Sequence, residues 1–353
     1  MNHAARLEAL RAGIEAPLLV SRLPNLRYLT GFTGSSGWLL VTPDGPATFV
    51  TDGRYGELAG ALVADLPQTD LVVYTSGLWD TLRGLVSGLD TVTLEADGVT
   101  WGWATDFGRE TGVIPAAGGG SVERLRRAKD PEEVEALSKA AAAGDAAFAR
   151  LSELAEPAVG EAELGWRLID VMRSKGGEAA GWEPIVAARA GASIPHYRSG
   201  RKPVGDALLL LDYGCVVDGY HSDMSRTVWL SGEPSDEMVR VHAAVLESQE
   251  AGIAAVGPGV SCNDVDEACR AVLRGYGYEE QFLHSTGHGV GLEIHEPPWV
   301  RRGNEDRLVP GDAVTVEPGV YLPGIGGVRI EDMVLVTETG NRVLTSSPKA
   351  LTT

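Results

Sequence analysis

Apolar positions fall into two rhythms along this chain. Up to about residue 120, short runs such as Trp38 to Val41, Ala47 to Val50 and Leu71 to Tyr74 read as strands, while Gly56 to Val63 reads as a helix. The opening MNHAARLEALRAG also reads as a helix. Pro and Gly then crowd Ile114 to Ser121, IPAAGGGS, where the pattern predicts a flexible junction. Beyond it, Asp130 is placed to cap a helix, with Pro131 in the first helical position and Glu133 three residues after the cap. That helix is expected to run to about Leu154. Further helices are expected near Gly160 to Lys175, Ser235 to Val256 and Ser261 to Tyr276, and strands at Ala207 to Leu211, Ala313 to Val316 and Met333 to Val336. The expected fold is α/β, with a small N-terminal domain over residues 1–122 and a larger C-terminal domain over 123–353.

Charge narrows the function. A net charge of −19 over 353 residues opposes nucleic-acid binding, which needs clustered Lys and Arg against phosphates. No apolar stretch approaches the length of a membrane span. Three cysteines, Cys215, Cys262 and Cys269, form no CxxC pair and no disulfide framework, and the N-terminus has no signal-peptide pattern, so a cytoplasmic location is expected. Gly118 to Gly120 could cradle a phosphate, but the P-loop lysine is missing and a linker is the better reading.

Eight charged or imidazole side chains stand out for chemistry. Asp212 ends the apolar run LLLLD, and Asp223 follows across a segment that Gly214 and Gly219 would allow to fold back as a hairpin. HSTGHGVGLEIHE then places His284, His288 and His295 close together, threaded by glycines that permit close backbone approach. Glu317 ends a strand-like run before a Pro-Gly turn. Arg329 and Glu331 sit in GVRIEDMVLV, either as an ion pair at a strand edge or beside a metal. Taken together, four carboxylates gathered at about 4 Å would repel by about 4 kcal/mol per pair at an effective dielectric near 20. Two divalent cations would cancel those four charges and leave the histidine neutral, so the count favours two ions over one. Mostly oxygen ligands with one imidazole suit Mn, Co, Fe or Zn.

The ordered set DYGCVVDGYHSDMSRT, STGHGVGLEIHE, TVEPGVY and RIEDMVLV resembles the pita-bread metallopeptidases, and among them the Xaa-Pro peptidases, prolidase and aminopeptidase P. NLRYLTGFTGSSGWLLVTPDG and TDGRY resemble the creatinase/prolidase-type N-terminal domain of that family, so the likeness covers nearly the whole chain. It implies that Asp212, Asp223, His288, Glu317 and Glu331 hold two divalent ions, manganese foremost, with Asp223 and Glu331 bridging. It further implies that Glu317 takes a proton from the attacking water and that His196 contacts the substrate carbonyl. By the same resemblance, His295 steadies the intermediate, His284 lines the proline side and Arg329 fixes Asp212. His221 carries no assigned role.

The implied substrates are Xaa-Pro dipeptides or short peptides with proline second, with a narrow preference for dipeptidase over aminopeptidase activity. A dipeptidase needs a cation for the proline carboxylate, for which Arg54, Arg198, Arg201 and Lys202 are candidates. Family habit implies a homodimer. Creatinase, which works without metals, and non-catalytic binding scaffolds of the same fold are the alternatives, and the intact ligand set opposes both.

Overall fold

The computed structural model describes residues 1–352. By contacts the chain divides after Arg126 into two units, four residues beyond the boundary expected from sequence. The first unit carries a six-stranded sheet: β1 (Leu18–Val20), β2 (Gly37–Val41), β3 (Ala47–Asp52), β4 (Thr69–Tyr74), β5 (Thr91–Glu95) and β6 (Ile114–Gly118), in the order β4-β3-β2-β1-β5-β6. Helices α1 (His3–Gly13), α2 (Leu23–Thr30), α3 (Gly56–Ala64), α4 (Leu78–Leu85) and α5 (Trp101–Thr111) accompany it. The stretch expected to be a flexible junction is therefore the edge strand β6, followed at once by α6 (Ser121–Arg127). Pro115 is tolerated because only one side of an edge strand has a ladder to complete.

The second unit begins with α7 (Pro131–Phe148). Asp130 caps it, accepting from the Glu133 amide while the Glu133 carboxylate accepts from the Asp130 amide. The helix stops at Phe148, short of the expected Leu154, and a separate turn, α8 (Leu151–Leu154), follows. Next come α9 (Glu161–Ser174), β7 (Ala179–Ala180) and β8 (Ile185–Ala188), then β9 (Leu208–Tyr213), β10 (Cys215–Val217), β11 (Tyr220–His221) and β12 (Met224–Trp229). Helices α10 (Asp236–Ala255) and α11 (Cys262–Tyr276) are each capped by a serine, Ser235 and Ser261. The chain ends in β13 (Gly287–Gly289), β14 (Glu296–Val300), β15 (Ala313–Val316), β16 (Gly319–Leu322), β17 (Gly326–Arg329), β18 (Asp332–Val336) and β19 (Asn341–Val343).

The run Leu208 to Leu211 explains how the site is anchored. Leu209 and Leu211 enter a core with α7 and α9, whereas Leu208 and Leu210 enter another with α10, α11, β15 and β18. Covered on both faces, β9 is apolar at every position from Leu208 to Leu211 rather than alternating. Each such leucine contributes about 2 kcal/mol of burial, which holds Asp212 at the strand end in a fixed place. The antiparallel ladder of β9 and β12 sets Asp212 opposite Ser225, closing the hairpin expected from Gly214 and Gly219. Its turn uses left-handed backbone at Asp218 and Gly219. A second ladder, β15 with β18, sets Val316 opposite Asp332, so Glu317 and Glu331 leave adjacent strand ends side by side.

Candidate metal centre

Asp212, Asp223, His288, Glu317 and Glu331 line one cleft of about 510 Å³. Asp223, His288 and Glu331 are buried and offer ligand atoms within 4.8 Å of one another. His288 Nε2 lies 3.6 Å from Asp223 Oδ2 and 3.5 Å from Glu317 Oε1. The other ring nitrogen, Nδ1, lies 3.0 Å from the Gly289 carbonyl, a contact that places the proton there and leaves Nε2 with a bare lone pair. β13 approaches β15 so closely that a methyl group at Gly287 would sit 2.0 Å from the Thr315 carbonyl oxygen.

The cluster is electrostatically unsatisfied by protein alone. Burial, then the neighbouring Glu331, pushes the Asp223 carboxyl well above its ordinary range. Burial and Glu331 do the same to Glu317, while burial and Asp212 raise Glu331 to about 8. Burial and the nearby His295 lower His288 to about 4, keeping it neutral. Asp223 Oδ1 and Glu331 Oε1 are buried without a hydrogen-bond partner. Orphaned carboxylate oxygens facing an unprotonated imidazole nitrogen fit divalent cations, which would return these acids to their ionised forms.

Arg329 does not pair directly with Glu331. Its Nη2 donates to Asp212 Oδ2 at 2.6 Å, its Nε to Ser225 Oγ at 2.9 Å and its Nη1 to the Tyr321 hydroxyl at 2.8 Å. Ser225 in turn donates to Glu331 Oε2 at 2.7 Å. One guanidinium thus orients a carboxylate from each half of the site. Although burial opposes its charge, Tyr321 and the surrounding acids hold Arg329 well above even its usual range.

Four other histidines of this unit differ in their surroundings. His284 has both nitrogens committed, Nδ1 against the Ser285 carbonyl at 2.8 Å and Nε2 against the Tyr321 hydroxyl at 2.8 Å. Burial, with the Arg329 charge second, lowers it to about 3. A neutral ring that donates from Nδ1 must accept at Nε2, so His284 can offer a ligand only its ring face. His295 packs edge-on against His288, with centroids 4.3 Å apart. His196 reaches the cleft from an exposed loop. His221 turns its Nδ1 to the Gly291 carbonyl, 3.2 Å away.

Around these groups stand Trp182, Ile185, Ile294 and Trp299, an apolar wall that sequence reading passed over. Tyr321 and Ser225 were missed as well. The signal for Tyr321 lies in its place four residues beyond Glu317, but only strand pairing reveals that it meets Arg329. Among the candidate carboxylate anchors, Arg54 grips Asp52 with two hydrogen bonds, while Arg198, Arg201 and Lys202 are exposed. Of the three in the second unit none lines the cleft, where Arg329 stands as the single Lys or Arg among the described residues.

Metallopeptidase family M24 matches residues 135–338, more than half of the chain and all five clustered residues. The chain belongs to the M24 metallopeptidases. Its first unit matches the creatinase/prolidase N-terminal domain over residues 5–127, and the second is the family's pita-bread domain. This M24 peptidase is 37% identical to an uncharacterized peptidase of Bacillus subtilis, YqhT, over 98% of this chain and 99% of that one. It superposes on a solved Xaa-Pro dipeptidase from Bacillus anthracis with a TM-score of 0.95, at 35% identity and 99% coverage of both chains. An X-Pro aminopeptidase from Thermotoga maritima follows, with a TM-score of 0.87 at 30% identity, covering 96% of this chain and 97% of the other. The protein is a peptidase and hence a hydrolase. Among the described residues, no helix is long and apolar enough to cross a membrane.

Proposed function

We propose that this M24 peptidase cleaves the bond between an N-terminal residue and a following proline, acting on Xaa-Pro dipeptides. The observation that carries this reading is a buried carboxylate cluster with orphaned oxygens opening into a cleft walled by Trp182, Ile185, Ile294 and Trp299. A proline ring is apolar and its peptide nitrogen has no N–H to offer, so apolar walls suit it better than an amide-reading polar pocket would. Likeness to the Bacillus anthracis dipeptidase supports the dipeptide form.

Asp212, Asp223, His288, Glu317 and Glu331 would hold two divalent ions, for which we favour manganese because four of five ligands are carboxylates. Such ions, when bound, would supply Lewis-acid polarisation and activate a water for attack near neutral pH. Glu317 would accept a proton from the attacking water. His196 and His295 hydrogen-bond the oxygen on which charge develops, while Arg329 holds Asp212 still and His284 presents its ring face to the proline. Three buried, unpaired cysteines agree with a reducing cytoplasm, and we expect a homodimer.

Longer peptides are the second reading, favoured by the lack of an uncommitted Lys or Arg lining the cleft among the described residues. Hydrolysis of Ala-Pro and Ala-Pro-Ala, compared across Mn, Co and Zn, separates the two. Faster turnover of the dipeptide is expected; preference for the tripeptide overturns the dipeptidase form, and inactivity on both overturns the Xaa-Pro reading. Light scattering of the purified protein tests the dimer.

A further inference from the structure

Between α6 and α7, the short stretch from Arg127 to Glu133 sends three charged side chains to three segments that carry cleft residues. Arg127 grips Asp312 with two hydrogen bonds of 2.8 Å, just ahead of β15 and Glu317. Glu133 Oε1 accepts from the Tyr220 hydroxyl at 2.7 Å, close before Asp223. Lys129 Nζ donates to Glu296 Oε1 at 2.7 Å, with side chains 0% and 4% exposed.

The last pair bears most directly on the site. Glu296 follows His295 and stands opposite Gly289 in the β13–β14 ladder, one residue from His288. Its carboxylate fills the inside of the loop between those strands. A methyl group at Gly291 would come within 2.4 Å of it, and the Glu293 amide donates to its Oε2. His295 sits on that same loop, its ring against His288. A buried ion pair is seldom needed for stability, since apolar replacements often serve as well, whereas losing one partner strands the other charge. Here the carboxylate that would lose Lys129 lies inside the His295 loop.

We propose that Lys129 is a positioning residue for peptide hydrolysis, holding Glu296 and through it the loop that aims His295 into the cleft. This rests on the reading above that His295 acts on the substrate. The test is a double-mutant cycle of Lys129→Met and His295→Ala in the full, manganese-loaded chain. Lys129→Met is expected to lower kcat/KM by about 10- to 100-fold, mainly in kcat, with bound manganese equal to wild type by elemental analysis. In the His295→Ala background the same change is expected to cost less than about twofold, because both act through one ring. Full additivity, or a loss of manganese matching the loss of rate, would overturn the proposal. Should Lys129→Met not fold, Lys129→Gln combined with Glu296→Gln enters the same cycle with both charges of the pair removed. If wild type hydrolyses neither Ala-Pro nor Ala-Pro-Ala, the functional reading fails by itself. A crystal structure of Lys129→Met then decides the positioning claim: displacement of the His295 ring by about 1 Å or more supports it, and a superimposable loop refutes it.

Discussion

Freed of divalent ions by chelation, this M24 peptidase will lose stability as pH rises from 6.5 to 8. The cause lies in Glu331, which burial and Asp212 raise from 4.5 to about 8. Across that window the folded protein keeps a proton that the unfolded chain has already released. The unfolded state binds fewer protons, so stability falls with pH. At about 1.4 kcal/mol per pH unit, Glu331 alone accounts for about 2 kcal/mol, and Asp223 and Glu317 shift in the same direction. Below pH 6.5 the sign is mixed. His284 and His288 are lowered to about 3 and about 4, so their folded forms resist protonation and favour stability as pH climbs toward 6.5. Calorimetry on chelated protein at pH 6.5, 7.25 and 8 is the assay, with an expected fall in Tm of about 3 °C from Glu331 alone. Excess manganese should abolish the fall, since ions bind the ionised carboxylates and gain affinity with pH. A chelated protein whose Tm stays level or rises over this window would refute the electrostatic account of the site.

Tyr321→Phe deprives Arg329 Nη1 and His284 Nε2 of their shared hydroxyl, so denaturant titration should show a loss of about 1–3 kcal/mol, with a fall in kcat. Gly287→Ala drives a methyl group into the Thr315 carbonyl and should cost at least about 2 kcal/mol in urea, whereas Gly275→Ala, on α11 with open space around it, should gain about 0.5–1 kcal/mol. Burial works to raise the Asp332 carboxyl, but Arg226 and Lys349 outweigh it and hold the group below its ordinary value. Its stabilising contribution is therefore present above about pH 3.8 and is lost as pH falls further. Asp332→Asn should cost about 3–5 kcal/mol at pH 7, a difference from wild type that narrows in acid unfolding below pH 3.8.

How far the sequence disclosed this arrangement depended on the range of the interactions involved. The α7 start was legible because Asp130, Pro131 and Glu133 form a local cap. LLLLD revealed a strand end, and the crowding of histidines with glycines revealed that backbone had to come close to something. Ile114 to Gly118 misled because Pro and Gly usually break structure, whereas an edge strand accepts both. Ser225, Tyr321 and Lys129 were silent because each matters through partners elsewhere in the chain, fixed only by strand register or packing. Arg329 was visible as a charge in an apolar run, but its partner, Asp212, lies in another hairpin.

The β9–β12 and β15–β18 ladders contribute their acids from opposite ends of a long stretch, from Asp212 to Glu331. Ser225 meets Glu331, and Arg226 reaches both Asp332 and the Ser347 carbonyl, only when those late strands have arrived. No fragment ending before Glu331 contains all five of the proposed ligands. A nascent chain therefore cannot assemble the proposed centre until Glu331 has been made and the late strands have paired.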